Sequence, residues 1–297
     1  LLRLWCEAWR QFGGAAILDK VKILSRDIYH RFVNDDGFPL AGNIAYCTLL
    51  SLFPFLIFLT ALSGFLGDEK LATTVVDYLL ATIPQDLVRP LSKDIHTILT
   101  EPDGGLLTLS IAFTVYSATG GVESMRTALN RAYGYTETRP YYWRFVQSML
   151  FVVIGAVVLI ALAVLIIFGP IYWSRLEIWI PALAQFTHWF ELFRHPVGLG
   201  LFFTALMLGH LFLPVRRQAI RDLLPGVVAT VVLWLIAAAV YADYIGKFSR
   251  ITVMYAGLAN VIIALIFLYI SAALFILGGE INQSLISQRK KETVRQE

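Results

Sequence analysis

Charge is scarce in this chain: Asp, Glu, Lys and Arg make up 15% of its 297 residues, against roughly 25% in a soluble domain. With 58% of residues hydrophobic, that deficit excludes an ordinary water-soluble fold. Cysteine is nearly absent. Cys6 and Cys47 form no CxxC pair and both fall on the cytoplasmic side of the topology derived below, so neither a disulfide framework nor a thiolate metal site is expected. The histidines, His30, His96, His188, His195 and His210, are scattered and make no HxH or HExxH pattern. No GxxxxGKS or GxxxxGKT loop occurs, so any ATP coupling would come from a partner. A removable signal peptide is not expected either, since the start of the chain lacks a basic stretch followed by an apolar core and a small-residue cleavage site.

What the chain has instead is long apolar runs. Residues 148–169, SMLFVVIGAVVLIALAVLIIFG, carry no charge and suffice to cross a bilayer as one helix, closed by Pro170. A helix apolar on every face has lipid or protein, not water, around it. Sorting the remaining runs by the same criterion predicts an all-α polytopic membrane protein with about six transmembrane helices. The spans are placed at residues 40–66, 106–118, 143–169, 197–213, 225–244 and 253–277. The second is short, either full-length through Gly120 and Gly121 or partly re-entrant, and Pro54 predicts a kink in the first. Residues 1–36 read as amphipathic helices on the cytoplasmic face, 37–287 as the transmembrane domain, 67–105 as an outer excursion with short amphipathic helices, and 288–297 as a basic tail. Residues 171–195, rich in aromatics, suit the headgroup level.

Lys and Arg near span ends fix the orientation, because they are retained on the cytoplasmic side. Arg3, Arg10, Lys20, Lys22, Arg26 and Arg31 precede the first span; Arg126, Arg131, Arg139 and Arg144 lie between the second and third; Arg216, Arg217 and Arg221 follow the fourth; Arg289, Lys290, Lys291 and Arg295 follow the sixth. Only Lys70, Arg89, Lys93, Arg175, Arg194, Lys247 and Arg250 fall opposite. Both termini are therefore expected in the cytoplasm.

Four blocks, AGNIAYCTLLSLFPFLIFL at 41–59, GGVESMRTALNRAYG at 120–134, RRQAIRDLLPGVVATVVLW at 216–234 and YAGLANVIIALIFLYISAALFILGGEIN at 255–282, occur in an order that resembles the YihY/BrkB family of bacterial inner-membrane proteins. The resemblance covers residues 32–287, with mild departures: YAGLAN where the family reads YGxLG, and GGEIN in place of a GAEL-like element. It implies six spans and a role in envelope integrity and lipid handling, and it brings no catalytic residues. The family's former label, ribonuclease BN, is a misattribution. The sequence itself gives a nuclease no clustered carboxylates or histidines, and orientation already explains its arginines, so no enzyme activity and no nucleic-acid partner is expected.

Ionisable and amide side chains inside or beside spans are costly in lipid and so mark either a path or a local structural pair. Toward the cytoplasm these are Asn43, Glu123, Arg126, Asn130, His210 and Glu280; toward the outside, Asp243, Lys247, Arg250 and Asn260. One reading makes the two sets the mouths of a headgroup-sized polar path, with Arg126 or Arg250 receiving phosphate. The other makes them helix-end pairs, such as Glu123 with Arg126 or Asp243 with Lys247, and interhelical amide contacts at Asn43 and Asn260. Two functions follow: a carrier or flippase of a lipid or amphipathic envelope component, with membrane lipids as partners and no cofactor, or a non-transporting scaffold for envelope-assembly proteins. Small residues in the spans leave a homodimer open.

Overall fold

The structure is a computed structural model that describes residues 14–65, 104–248 and 258–296. The expected outer excursion at 67–105 lies almost wholly outside the described residues, as do residues 1–13 and Arg250. Every element among the described residues is helical: α1 (Gly14–Asn34), α2 (Gly37–Phe65), α3 (Gly104–Ala132), α4 (Tyr141–Ala163), a π turn (Val164–Phe168), α5 (Gly169–Trp179), a 3-10 turn (Pro181–Phe186), α6 (Thr187–Phe212), α7 (Ile220–Phe248) and α8 (Leu258–Gln296). Four stretches among the described residues are long and apolar enough to cross a membrane, Tyr141–Ile166, Pro181–Phe212, Ile220–Tyr244 and Val261–Lys291, and Gly37–Leu52 is a shorter apolar helix.

Several expected boundaries are corrected. Pro170 does not end its helix, because the π turn at Val164–Phe168 widens the backbone just before it. Proline has no amide to give the carbonyl four residues back and its ring collides there; a wide turn relieves the collision and the helix goes on. Pro196 sits inside α6, and Pro225 inside α7. Where the remaining backbone groups have no water to turn to, keeping the helix costs less than breaking it. The segment expected as a short second span and a separate amphipathic helix is one continuous α3 of 29 residues. α8 runs unbroken through Gly278 and Gly279 to Gln296 and carries the basic residues Arg289, Lys290, Lys291 and Arg295 on its last turns.

Those glycines serve close approach rather than termination. A Cβ on Gly278 would lie 3.0 Å from the Gly226 carbonyl oxygen and would also strike Thr230 Oγ1, and one on Gly226 would lie 2.5 Å from Asn282 Oδ1. Asn282 also accepts the Gly226 amide at 2.7 Å, one residue beyond Pro225. With α7 held this near, α8 becomes the hub, packing against α1, α2, α3 and α7, while α4 packs on α3 and α6.

The buried core lies at one end of the helices. Phe32, Ala41, Ile44, Ala128, Leu129, Tyr133, Leu213, Leu223, Ala272, Phe275 and Ile276 form it, drawn from the end of α1, the start of α2, the ends of α3 and α6, the start of α7 and the middle of α8. Away from that end α4 turns Val153, Val157, Leu159 and Ile160 outward, an apolar surface suited to lipid. The tight turn from α1 to α2 belongs to the packed end. Asp36 there takes φ 59°, a left-handed conformation that Asp tolerates, and a Cβ on Gly37 would meet the Phe32 carbonyl oxygen at 2.7 Å.

Candidate functional site

The packed end carries a polar network built on the α3–α4 connection. Gly134, at φ 70°, closes α3: its amide bonds the Arg131 carbonyl at 2.9 Å and the Tyr135 amide bonds the Asn130 carbonyl at 2.7 Å, a Schellman ending. Pro140 then precedes α4. Across this hairpin Arg126, whose side chain is 1% exposed, pairs with Glu123. It also donates to Ser148 Oγ at 2.8 Å and to the Arg144 carbonyl at 3.1 Å. Arg144 closes the loop by pairing with Glu123 at 2.7 Å.

A second arm reaches the end of α6. Arg139 donates to Glu137 at 2.9 Å, to Gln147 at 2.9 Å and to the Leu213 carbonyl at 2.8 Å. Gln147 donates to the Phe212 carbonyl at 2.6 Å, and the Val215 amide donates to Asn130 at 2.8 Å. The last carbonyls of a helix have no partner within it, and a cation beside them is favourable. Arg139, Gln147 and Asn130 therefore cap α6 from outside. Burial pushes the Glu137 carboxyl up, but bonds from Arg139 and Asn130 outweigh it and hold the group at about 2, below the ordinary 4.5. Its contribution to stability is full above 4.5 and lost as pH falls toward about 2. An E137Q variant is expected to melt below wild type at neutral pH, with the gap closing over that acid range when thermal unfolding is followed in detergent; a gap indifferent to pH would contradict the pairing.

Of the other inward candidates, Asn43 on α2 donates to Ser124 Oγ of α3 at 2.6 Å. His210 is wholly buried, its ring 4.7 Å from that of Phe275, and neither nitrogen has a hydrogen-bond partner. Glu280 is wholly buried on α8 and its two oxygens also lack a hydrogen bond. Arg126 and Asn130 are thus occupied by the protein itself, while His210 and Glu280 are not. In the outward set, Asp243 is exposed near the end of α7; the side chains of Lys247 and Asn260, and all of Arg250, lie outside the described residues. Among the described residues no group of three or more His, Cys, Asp or Glu could hold a metal ion.

Sequence reasoning did not single out Asp27, Asp35, Glu137, Arg139, Gln147, Ser148 or Asn282. Arg139 and Glu137 sit in a proline-ended connection, where charged residues read as solvated loop, and nothing local reveals that they reach residue 213. Several of the basic residues grouped by charge asymmetry make contacts at this end. Arg131 pairs with Asp36, Arg289 pairs with Asp222 at 3.0 Å, and Arg216 lies over the Tyr135 ring at 5.7 Å.

These features define a membrane protein, all-helical among the described residues, with a buried polar network at its packed end. The chain belongs to the Virulence factor BrkB family, whose model matches residues 28–297. It is 29% identical to a ribonuclease-like protein, YfkH, of Bacillus subtilis (strain 168), over 90% of this chain and 96% of that one. It is 24% identical to a UPF0761 membrane protein of Alteromonas mediterranea, over 90% and 93%. It is 23% identical to the UPF0761 membrane protein Smlt0865 of Stenotrophomonas maltophilia, over 97% of this chain but 65% of that longer protein. Membrane protein is thus the description that the UPF0761 relatives share. No solved structure matches.

Proposed function

We propose that this is a six-span protein of the bacterial inner membrane, with both termini cytoplasmic, that moves a lipid or other amphipathic envelope component between leaflets. The packed polar end is its inner mouth, and Asp243, Lys247, Arg250 and Asn260 belong to the outer one. The observation that carries the reading is His210. An imidazole with both nitrogens buried and unpartnered leaves a cost of about 1–3 kcal/mol standing in the resting protein, and a polar headgroup arriving between α6 and α8 would remove it. Acyl chains would meet the apolar flank of α4. Arg126, Glu123 and Asn130 frame this mouth, and Asn43 and Glu280 line it. The scaffold alternative rests on the excursion at 67–105 and draws no support from the described residues.

The test is lipid exchange in vesicles of phosphatidylethanolamine and phosphatidylglycerol that carry a fluorescent lipid in one leaflet. Wild type is expected to speed its exchange. H210F keeps an aromatic ring against Phe275 but loses both nitrogens, and is expected to slow exchange about tenfold or more, the worth of one hydrogen bond to a charged group, with the unfolding temperature held or raised because the unpaired nitrogens are gone. Equal rates would remove His210 from the site.

A further inference from the structure

At the α1–α8 junction Glu280, already placed in the lining of the inner mouth, offers an acid–base chemistry that the headgroup seat at His210 does not use. Glu280 is fully buried and its oxygens accept no hydrogen bond, and its surroundings are acidic. Asp35, in the turn between α1 and α2, lies beside it, and Asp27 of α1 acts on it from farther along the same helix. The countering charge is Arg31 of α1, which is already paired with Asp27 at 3.0 Å. Arg131, at the end of α3, acts on Asp35 but is paired with Asp36. Tyr133, just after α3, faces Glu280 and is bonded to Asn282 at 3.3 Å. At its crossing with α8, α7 presents Gly226 and Thr230. From α6, His210 faces the neighbouring Gly279; α2 brings Ala41 and Ile44 to the core. Lys291 of α8 acts on Asp27 from beyond Ser284, which donates to that carboxylate at 2.5 Å.

A carboxylate buried without donors, beside a second carboxylate, is among the costliest arrangements a protein can hold, and binding one proton removes most of that cost. Burial likewise raises the Asp35 carboxyl above the ordinary carboxylate range, with Arg31 pulling the other way. A metal ion would need more ligands than the pair supplies; a proton needs only one oxygen of each.

We propose that Glu280 and Asp35 form a proton-binding pair beneath α1, and that loading and unloading of this proton drives the movement of the amphiphile. The site stands on the complete burial of Glu280 and its two unpartnered oxygens; only the coupling rests on the transport reading. The proton moves between water and the Glu280 carboxylate, with Asp35 sharing it while bound. On deprotonation two like charges face each other across the α1–α8 contact and push α1 from its seat, the kind of biased two-state element through which a ligand acts on a distant step.

The whole chain in vesicles of phosphatidylethanolamine and phosphatidylglycerol allows two readings. Infrared difference spectra should show a protonated carboxyl at neutral pH in wild type that is absent from E280Q and altered in D35N. Gln mimics the protonated acid, so E280Q should fold as well as wild type; failure to fold would overturn the proposal, as would a carboxyl signal that persists unchanged in E280Q. An imposed pH gradient should change the wild-type lipid-exchange rate about five-fold or more, the lower range of ordinary coupling, and leave E280Q flat. Exchange that ignores the gradient in wild type overturns the coupling and leaves transport standing. A titrating carboxyl with no lipid exchange at all removes transport and leaves the proton site.

Discussion

Gly226→Ala is expected to separate α7 from α8 and cost about 3 kcal/mol, the upper part of the range for overpacking. The new methyl would meet the Gly278 carbonyl oxygen and Asn282 Oδ1. The first is backbone and has no rotamer to retreat into. The second already accepts the Gly226 amide at 2.7 Å, so moving it would strand that amide next to Pro225. Both helices read as spans, and helices in lipid gain little from apolar burial and hold together by close van der Waals fit. A gap opened at this crossing therefore has no compensating force. The expected result is a lowered unfolding temperature and a loss of monodisperse protein in detergent. Gly155→Ala is the control: nothing lies within 4 Å of its added Cβ, and a helical glycine replaced by alanine should hold or gain about 0.5–1 kcal/mol. Equal behaviour of the two variants would contradict the packing described.

Arg126→Met is expected to cost about 3 kcal/mol, the lower end for breaking a buried ion pair. The lower end applies because Glu123 is 38% exposed and keeps Arg144. What is lost is the single group joining α3 to Ser148 and to the Arg144 carbonyl on α4. Lysine should rescue less than half of the loss, since one ammonium cannot reproduce the planar fork that serves these partners. Chemical unfolding in detergent measures both. A variant that folds as wild type but no longer moves lipid would return Arg126 to the phosphate-binding role its position in the sequence suggests.

Much of the helical order was legible because lipid imposes a simple rule: an apolar stretch near 20 residues spans. The stretch around 148–169 needed no more than that. Boundaries were less legible where proline stood, at 170, 196 and 225, since proline reads as a stop in water and the structure continues the helix by a π turn or by tolerating a missing amide. At the site, Glu123 with Arg126 was legible because i and i+3 share a helix face. Arg139 with Leu213 and Ser284 with Asp27 were not, because these partners lie 74 and 257 residues apart and only the packed fold brings them together. Glu280 was visible as a costly residue, but its companion Asp35 read as a turn former, which it also is. The same residue types, Asp in a turn and Arg near a span end, serve local structure and long-range pairing alike, so composition alone does not divide them.

The claim that matters most is that the packed polar end receives the head of an amphipathic molecule at His210. Native mass spectrometry of the protein purified in mild detergent tests it directly. Wild type is expected to carry a lipid-like adduct that H210F, equally folded, releases. A wild-type protein that is bare, or an adduct held equally by both, would contradict it.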